Sequence, residues 1–518
     1  MDMNLIETRL GRASWVWAAV LAGACMLLGS IATAQGADTS AASGLRLGAP
    51  FSDHMVIQAE APIRVWGWDD PDTEVTVTLA GFTSQATAGA DGRWQVELPE
   101  LVEVGPYEMV VEGSGTVRLE DVVAGEVWWC SGQSNMVWPV QKSLSKDTLG
   151  KRSTDPMVRL MKVPRTSEPS PQSDVEAQWE ISDGASLLGF SAVAAHFGID
   201  LARELDRPVG LIQSAWGGSM IRTWVPTEEL EASPHRTNMQ KVLARAVQRH
   251  DAELKQWEES GRQGKRPRWG GQRPQHVPSG LANAMTHPFE PLSIRGVIWY
   301  QGESDSKKPP YYADLFKSLI ASWRDGFQNP QLPVYFVQLP NFAKNNSNWA
   351  PFREMQRRFA QENEHVDMAV SIDVGEPDDI HPQNKQPVGE RLARLALHHT
   401  YGRTELLPGG PLPATIEHDP SQPGAVRVTF TQVGEGLQTS DGQEAVRTFV
   451  LTDRSGERAK ANAVIVAPDA VLVSAEGVTD PVDIRYANFG NPSVNLVNSE
   501  GLPASPFKLD EFLPSEPE

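Results

Sequence analysis

The chain has 518 residues, 40% of them hydrophobic and 22% charged, with 43 Gly and 39 Pro, the make-up of a globular protein rich in turns rather than of a coiled coil or a disordered tail. Its net charge of −20 provides no sequence-independent grip on phosphate backbones or anionic lipid, so nucleic acid and the inner membrane leaflet are excluded as expected partners. A chain of this length suggests about three domains.

At the N-terminus, Arg9 and Arg12 precede an apolar run over residues 13–31, and Ala32-Thr33-Ala34 supplies the small residues that signal peptidase needs. A signal peptide over residues 1–34 is therefore expected. The mature chain is expected to be exported, to the periplasm or outside the cell, without membrane insertion. Of the two cysteines, Cys25 leaves with that segment, and Cys130 alone cannot form an intramolecular bridge. Cys130 sits in the apolar run 126–130 and reads as a small buried hydrophobe.

Residues 45–120 alternate short β-type runs with turns such as Asp91-Gly92, which predicts an N-terminal β-sandwich over 35–120. From 121 to 408 strands and helices alternate. Strands are expected at 122–130, 209–214, 296–300, 334–339 and 368–374. Helices are expected at 191–205, 311–325, 352–362 and 388–399. Repeated β-α units with apolar strands imply a parallel sheet covered on both faces. A polar, then basic and Pro-rich stretch over about 226–280 reads as an insertion or lid. Residues 409–518 return to β patterning, which predicts a C-terminal β domain.

Ligands of an open parallel sheet bind beyond the carboxyl ends of its strands. Four polar clusters follow the expected strands: Ser131-Gly132-Gln133-Ser134-Asn135-Met136, Ala215-Trp216-Gly217-Gly218-Ser219, Gln301-Gly302-Glu303-Ser304-Asp305, and Asp378-Asp379-Ile380-His381-Pro382. Together they contain what acyl transfer requires, namely a hydroxyl, a base within reach and a carboxylate that orients the base. Ser134 fits the nucleophile and His381 the base. Asp378, three positions before His381, shares a face with it if that turn is helical, and such a partner would raise the titration of the imidazole. Asp379 is the competing carboxylate. Oxyanion donors are expected from the Ser134 N–H, from Gly217 or Gly218, and from the Gln301 amide.

These four clusters, in this order, resemble the sialate O-acetylesterase-like branch of the SGNH (GDSL-type) hydrolases, and residues 498–507 resemble that family's C-terminal end. The resemblance implies a flavodoxin-like three-layer α/β domain flanked by β domains, which removes acetyl groups from O-acetylated sugars or glycans with no cofactor and no metal. By matching position it implies Ser134, Asp378 and His381 as the triad and Gly218 and Gln301 as oxyanion-hole members. Gln133, Asn135 and Glu303 are the candidate substrate-binding residues. Members often carry Asn at position 305 and Thr at 219, where this chain has Asp305 and Ser219, and an acidic or amide residue where it has Arg222. These departures are expected at the pocket rim.

Four rival readings stand beside this one. The ester could belong to acetylxylan or xyloglucan rather than to sialic acid. A glycosidase could pair Glu303 with Asp305, Asp373 or Glu376, and Asp373, Glu376, Asp378 and Asp379 could hold Ca²⁺. A non-enzymatic sugar-binding protein would use the β domains alone.

Overall fold

The structure, a computed structural model, describes residues 44–344 and 346–510; the expected signal peptide lies outside them. Seven strands build the central sheet: β1 (Thr116–Gly132), β2 (Asp155–Lys162), β3 (Trp179–Ser182), β4 (Val209–Ala215), β5 (Gly296–Tyr300), β6 (Val334–Val337) and β7 (Val366–Ala369). They lie in the order β3-β2-β4-β1-β5-β6-β7. Only the β3–β2 edge pair is antiparallel.

Successive strand residues point to opposite faces, and each face has its own core. Trp129, Trp299 and Phe336 pack under helices α2 (Pro309–Gly326) and α3 (Asn346–Glu362). Trp128, Tyr300 and Tyr335 pack under α1 (Ala192–Leu205) and α4 (Gln386–His399). Both faces of the sheet are therefore covered, as continuous apolar strands require.

Strands β2 and β3 were not expected from the sequence. Arg159 and Pro156 interrupt the apolar pattern of β2, but Arg159 is buried and its guanidinium pairs with Asp121 at 3.1 Å. The boundary expected at 120/121 lies within a strand. Strand β1 runs through it, its first half pairing with Tyr107–Glu112 and its second half with β4 and β5. Of the remaining N-terminal strands, Val56–Gln58 pairs in parallel with β1, Arg46–Leu47, Ile63–Trp68 and Arg93–Leu98 form a small three-stranded sheet, and Glu74–Leu79 and Phe82–Thr87 form a hairpin joined to β1 through Tyr107–Glu112. Beyond α4, two four-stranded sheets enclose a third core around Val428, Phe449, Ile484 and Phe507. In the expected insertion, helix Arg236–Glu259 buries only Met239.

Candidate active site

Because β1, β4, β5 and β7 are parallel, the four polar clusters that follow them emerge at one edge of the sheet. Gly132 ends β1 at φ +141°, and a Cβ there would stand 2.2 Å from the Tyr300 carbonyl oxygen, so only glycine permits this turn. The chain then enters the short helix Ser134–Val137. Ser134 is its first residue, and a first-turn N–H has no intrahelical acceptor.

The loop after β7 brings His381 Nε2 to 2.9 Å from Ser134 Oγ. Three contacts hold His381 there. The Asn135 amide donates to the Ile380 carbonyl at 3.0 Å, the His381 N–H donates to Asp379 Oδ1 at 2.8 Å, and the imidazole stacks on Trp138 with ring centres 4.8 Å apart.

The expectation for Asp378 fails on geometry. Its side chain is 86% exposed and faces Lys344 at 3.8 Å, because the segment between β7 and α4 is not helical and a three-residue spacing does not align side chains there. Asp379 is the carboxylate near the ring, with Oδ1 3.8 Å from Nδ1, which is an ionic approach rather than a hydrogen bond. The expected upward titration of His381 is reversed too. Partial burial holds the imidazole below its ordinary value, aided by the Lys385 and Lys142 cations and opposed by Asp379.

The loop after β4 approaches Ser134 from the other side. A Cβ on Gly217 would lie 3.5 Å from Ser134 Cβ, and Gly218 has φ +73°. Among the described residues, neither glycine N–H has a backbone acceptor. Gln301 does not join them as a donor, because its Nε2 already donates to Ser219 O at 3.2 Å and to Asp305 Oδ2 at 2.7 Å. It braces the glycine loop instead.

The three candidate substrate-binding residues are also placed differently. Asn135 is wholly buried; its Nδ2 donates to Glu303 and Ile380, and its Oδ1 accepts from Lys385 Nζ at 2.5 Å. Gln133 is buried, and its Oε1 accepts from Ser304 N at 3.4 Å. Glu303 is buried as well, and burial raises its carboxyl above the usual range. These residues shape the site from beneath rather than line its mouth. Ser219 and Asp305, expected at the rim, are likewise buried: Ser219 Oγ accepts from Trp224 Nε1 at 2.9 Å, and Asp305 from Ile221 N at 2.9 Å. Trp138, Trp216, Arg222, Gln275 and His276 are partly exposed; Trp138 lies on His381, Gln275 and His276 lie beside Gly218, and Arg222 bonds the His276 carbonyl.

Sequence reasoning missed Lys385, Trp138 and the insertion's contribution. Lys385 looks like an ordinary charged residue before a helix, yet it is fully buried. Gln275 and His276 come from the insertion's C-terminal end; Gln275 O accepts from Met220 N at 3.4 Å and His276 bonds the Gly218 backbone. The acidic cluster of the calcium reading disperses, with Asp373 on Arg391, Glu376 on Gln383 N, Asp378 on Lys344 and Asp379 on His381.

Residues 270–398 match the family described as carbohydrate esterase, sialic acid-specific acetylesterase. The sialate O-acetylesterase of Mus musculus is 31% identical over 442 residues, covering 76% of this chain and 80% of that protein. The Homo sapiens sialate O-acetylesterase is 30% identical over 425 residues, covering 74% and 76%. Among solved structures, a carbohydrate acetylesterase from Xanthomonas citri superimposes with a TM-score of 0.78 at 31% identity, covering 90% of this chain and 99% of that one.

Proposed function

This chain belongs to the sialate O-acetylesterase family of carboxylic-ester hydrolases, and on that premise we propose that it removes acetyl groups from O-acetylated sugars by acyl transfer through Ser134. The observation that carries this reading is the 2.9 Å contact between His381 Nε2 and Ser134 Oγ. A neutral imidazole takes the hydroxyl proton as Oγ attacks the acetyl carbonyl, then returns it to the departing sugar oxygen. The acetyl-enzyme so formed is hydrolysed by a water that His381 activates in turn, releasing acetate.

The oxyanion is met by the N–H of Ser134 and that of Gly218, with Gly217 close against the nucleophile. Each such donor is worth about 2.7–4 kcal/mol in the transition state. Asp379 and the Trp138 stack orient His381 in the place the sequence reading gave to Asp378. No metal takes part in this scheme, and activity should persist in EDTA.

The sheet order and the helices on both faces support reading residues 121–408 as a flavodoxin-like SGNH hydrolase domain, with 35–120 and 409–518 as flanking β domains. The Arg9, Arg12 and Ala32-Thr33-Ala34 pattern supports export; the secreted protein would begin at Gln35. The names of the relatives favour acetylated sialic acid as substrate, with acetylxylan and acetylated xyloglucan as competitors. An acetate-release screen over the three, with Ser134→Ala alongside, decides. Release from sialic acid esters that Ser134→Ala abolishes is the expected result. Release from the polysaccharides alone would move the substrate to hemicellulose, and activity retained in Ser134→Ala would overturn the mechanism.

A further inference from the structure

Beneath the proposed nucleophile lies a buried polar network whose centre is a lysine. Lys385 is the residue before α4, makes no capping bond with its side chain and has no exposed surface. Its Nζ donates to Asn135 Oδ1 at 2.5 Å and lies 5.3 Å from the centre of the Tyr300 ring. Glu303, also buried, takes a hydrogen bond from the Asn135 amide nitrogen and places a carboxylate in the field of the ammonium. The second amide proton goes to the carbonyl of Ile380, next to His381. Asn135 is thus covalently next to Ser134 and hydrogen-bonded to Ile380, the residue before His381.

We propose that Lys385 is a positioning residue of the esterase site, whose ammonium fixes the Asn135 amide and through it the alignment of Ser134 with His381. The argument is one of donor inventory. Lysine only donates, so Asn135 must turn its oxygen toward Lys385 and its nitrogen toward Glu303 and Ile380. Without that constraint the amide can rotate, and the strap from the Ser134 helix to the His381 loop is lost. A buried cation is costly unless paired, and Glu303 supplies the compensating charge.

The same ammonium acts on the base. The charged groups facing His381 are Asp379 on its own loop, Lys385 at the start of α4, and Lys142 from the segment after the Ser134 helix. Two cations disfavour the imidazolium and one carboxylate favours it. Burial brings Lys385 itself down to about 7, with Glu303, Asp379 and Glu376 opposing the drop. Removing the Lys385 charge should therefore raise the titration of His381.

This inference rests on Ser134 and His381 being the working pair, so the test includes Ser134→Ala. Lys385→Met and Lys385→Gln are assayed on p-nitrophenyl acetate across pH, after circular dichroism confirms their fold. Lys385→Met should lose about tenfold or more in kcat, the weight of one aligned hydrogen bond, with KM within about threefold because Lys385 does not touch substrate. The acidic limb of kcat/KM should move to higher pH. Lys385→Gln, which keeps a donor without the charge, should recover part of kcat but keep the displaced limb. Should Lys385→Met fail to fold, the double variant Glu303→Gln/Lys385→Met, which leaves no buried charge unpaired, carries the same pH readout. Parent-like kcat and an unmoved limb in the folded variants would overturn the proposal, even with Ser134→Ala inactive. An active Ser134→Ala would instead overturn the reading on which it rests.

Discussion

The imidazole of His381 must be neutral to accept a proton, and its surroundings favour that state. Because burial, Lys385 and Lys142 hold its titration below the ordinary value of about 6.5, the acidic limb of kcat/KM should fall below that pH. Asp379 supplies the opposing negative field at 3.8 Å. Asp379→Asn should therefore displace the limb further toward acid, and should cost about tenfold in kcat through looser orientation of the ring and loss of the bond to the His381 N–H. Asp378→Asn should change kcat less than about twofold, because its exposed carboxylate meets only a surface lysine and such pairs contribute little. Rate and pH profiles of the two variants decide between the carboxylates. The sequence puts Ser134 and His381 at one edge, where the structure brings them to 2.9 Å, since a hydroxyl after one strand and a single histidine after another leave few alternatives. It sets Asp378 rather than Asp379 beside the ring because the i, i+3 rule belongs to helices and this segment is not one. Lys385 was illegible for a different reason: whether a lysine is buried depends on partners such as Asn135, 250 residues away.

At the scale of elements, the site depends on two glycine turns, of which only the one at Gly132 excludes a side chain on steric grounds. Gly132→Ala would drive a Cβ into the Tyr300 carbonyl at 2.2 Å and strain φ +141°. It should cost more than about 2 kcal/mol in urea unfolding. Gly218 has open space around its would-be Cβ, the nearest atom being 3.9 Å away, but φ +73°. Gly218→Ala should therefore lose only about 1 kcal/mol of stability while lowering kcat as the loop shifts its N–H. Equal loss of kcat and stability in both variants would argue against this division. The parallel strands were legible because burial on both faces makes them nearly continuous apolar runs. Strand β2 was not, because Arg159 is neutralised by Asp121 from outside the strand.

For the whole molecule, the continuous strand β1 means that the N-terminal sheets and the catalytic sheet share backbone, which a composition shift near residue 120 cannot reveal. Toward the start of the catalytic stretch of β1, Glu126 is buried and accepts from Arg295 at 2.6 Å, Tyr401 at 3.0 Å and Gln58 at 3.2 Å. It ties the N-terminal region to both halves of the sheet. Glu126→Ala leaves Arg295 and Tyr401 without this partner and should destabilise the protein by about 3 kcal/mol, read as a lowered urea midpoint with kcat of the folded fraction unchanged. The insertion was legible as an extra segment. Its packing of Gln275 and His276 beside Gly218 was not, since nothing local in a basic, Pro-rich run specifies where its end returns. The most direct test of the central claim is peptide mass mapping of the intact protein after treatment with a fluorophosphonate, comparing the parent with His381→Ala. The account predicts a single modified serine, Ser134, with loss of activity in proportion to labelling, and labelling of His381→Ala at least about 10²-fold slower. Modification elsewhere, at Cys130 for instance, or full inactivation with Ser134 unlabelled, would contradict it.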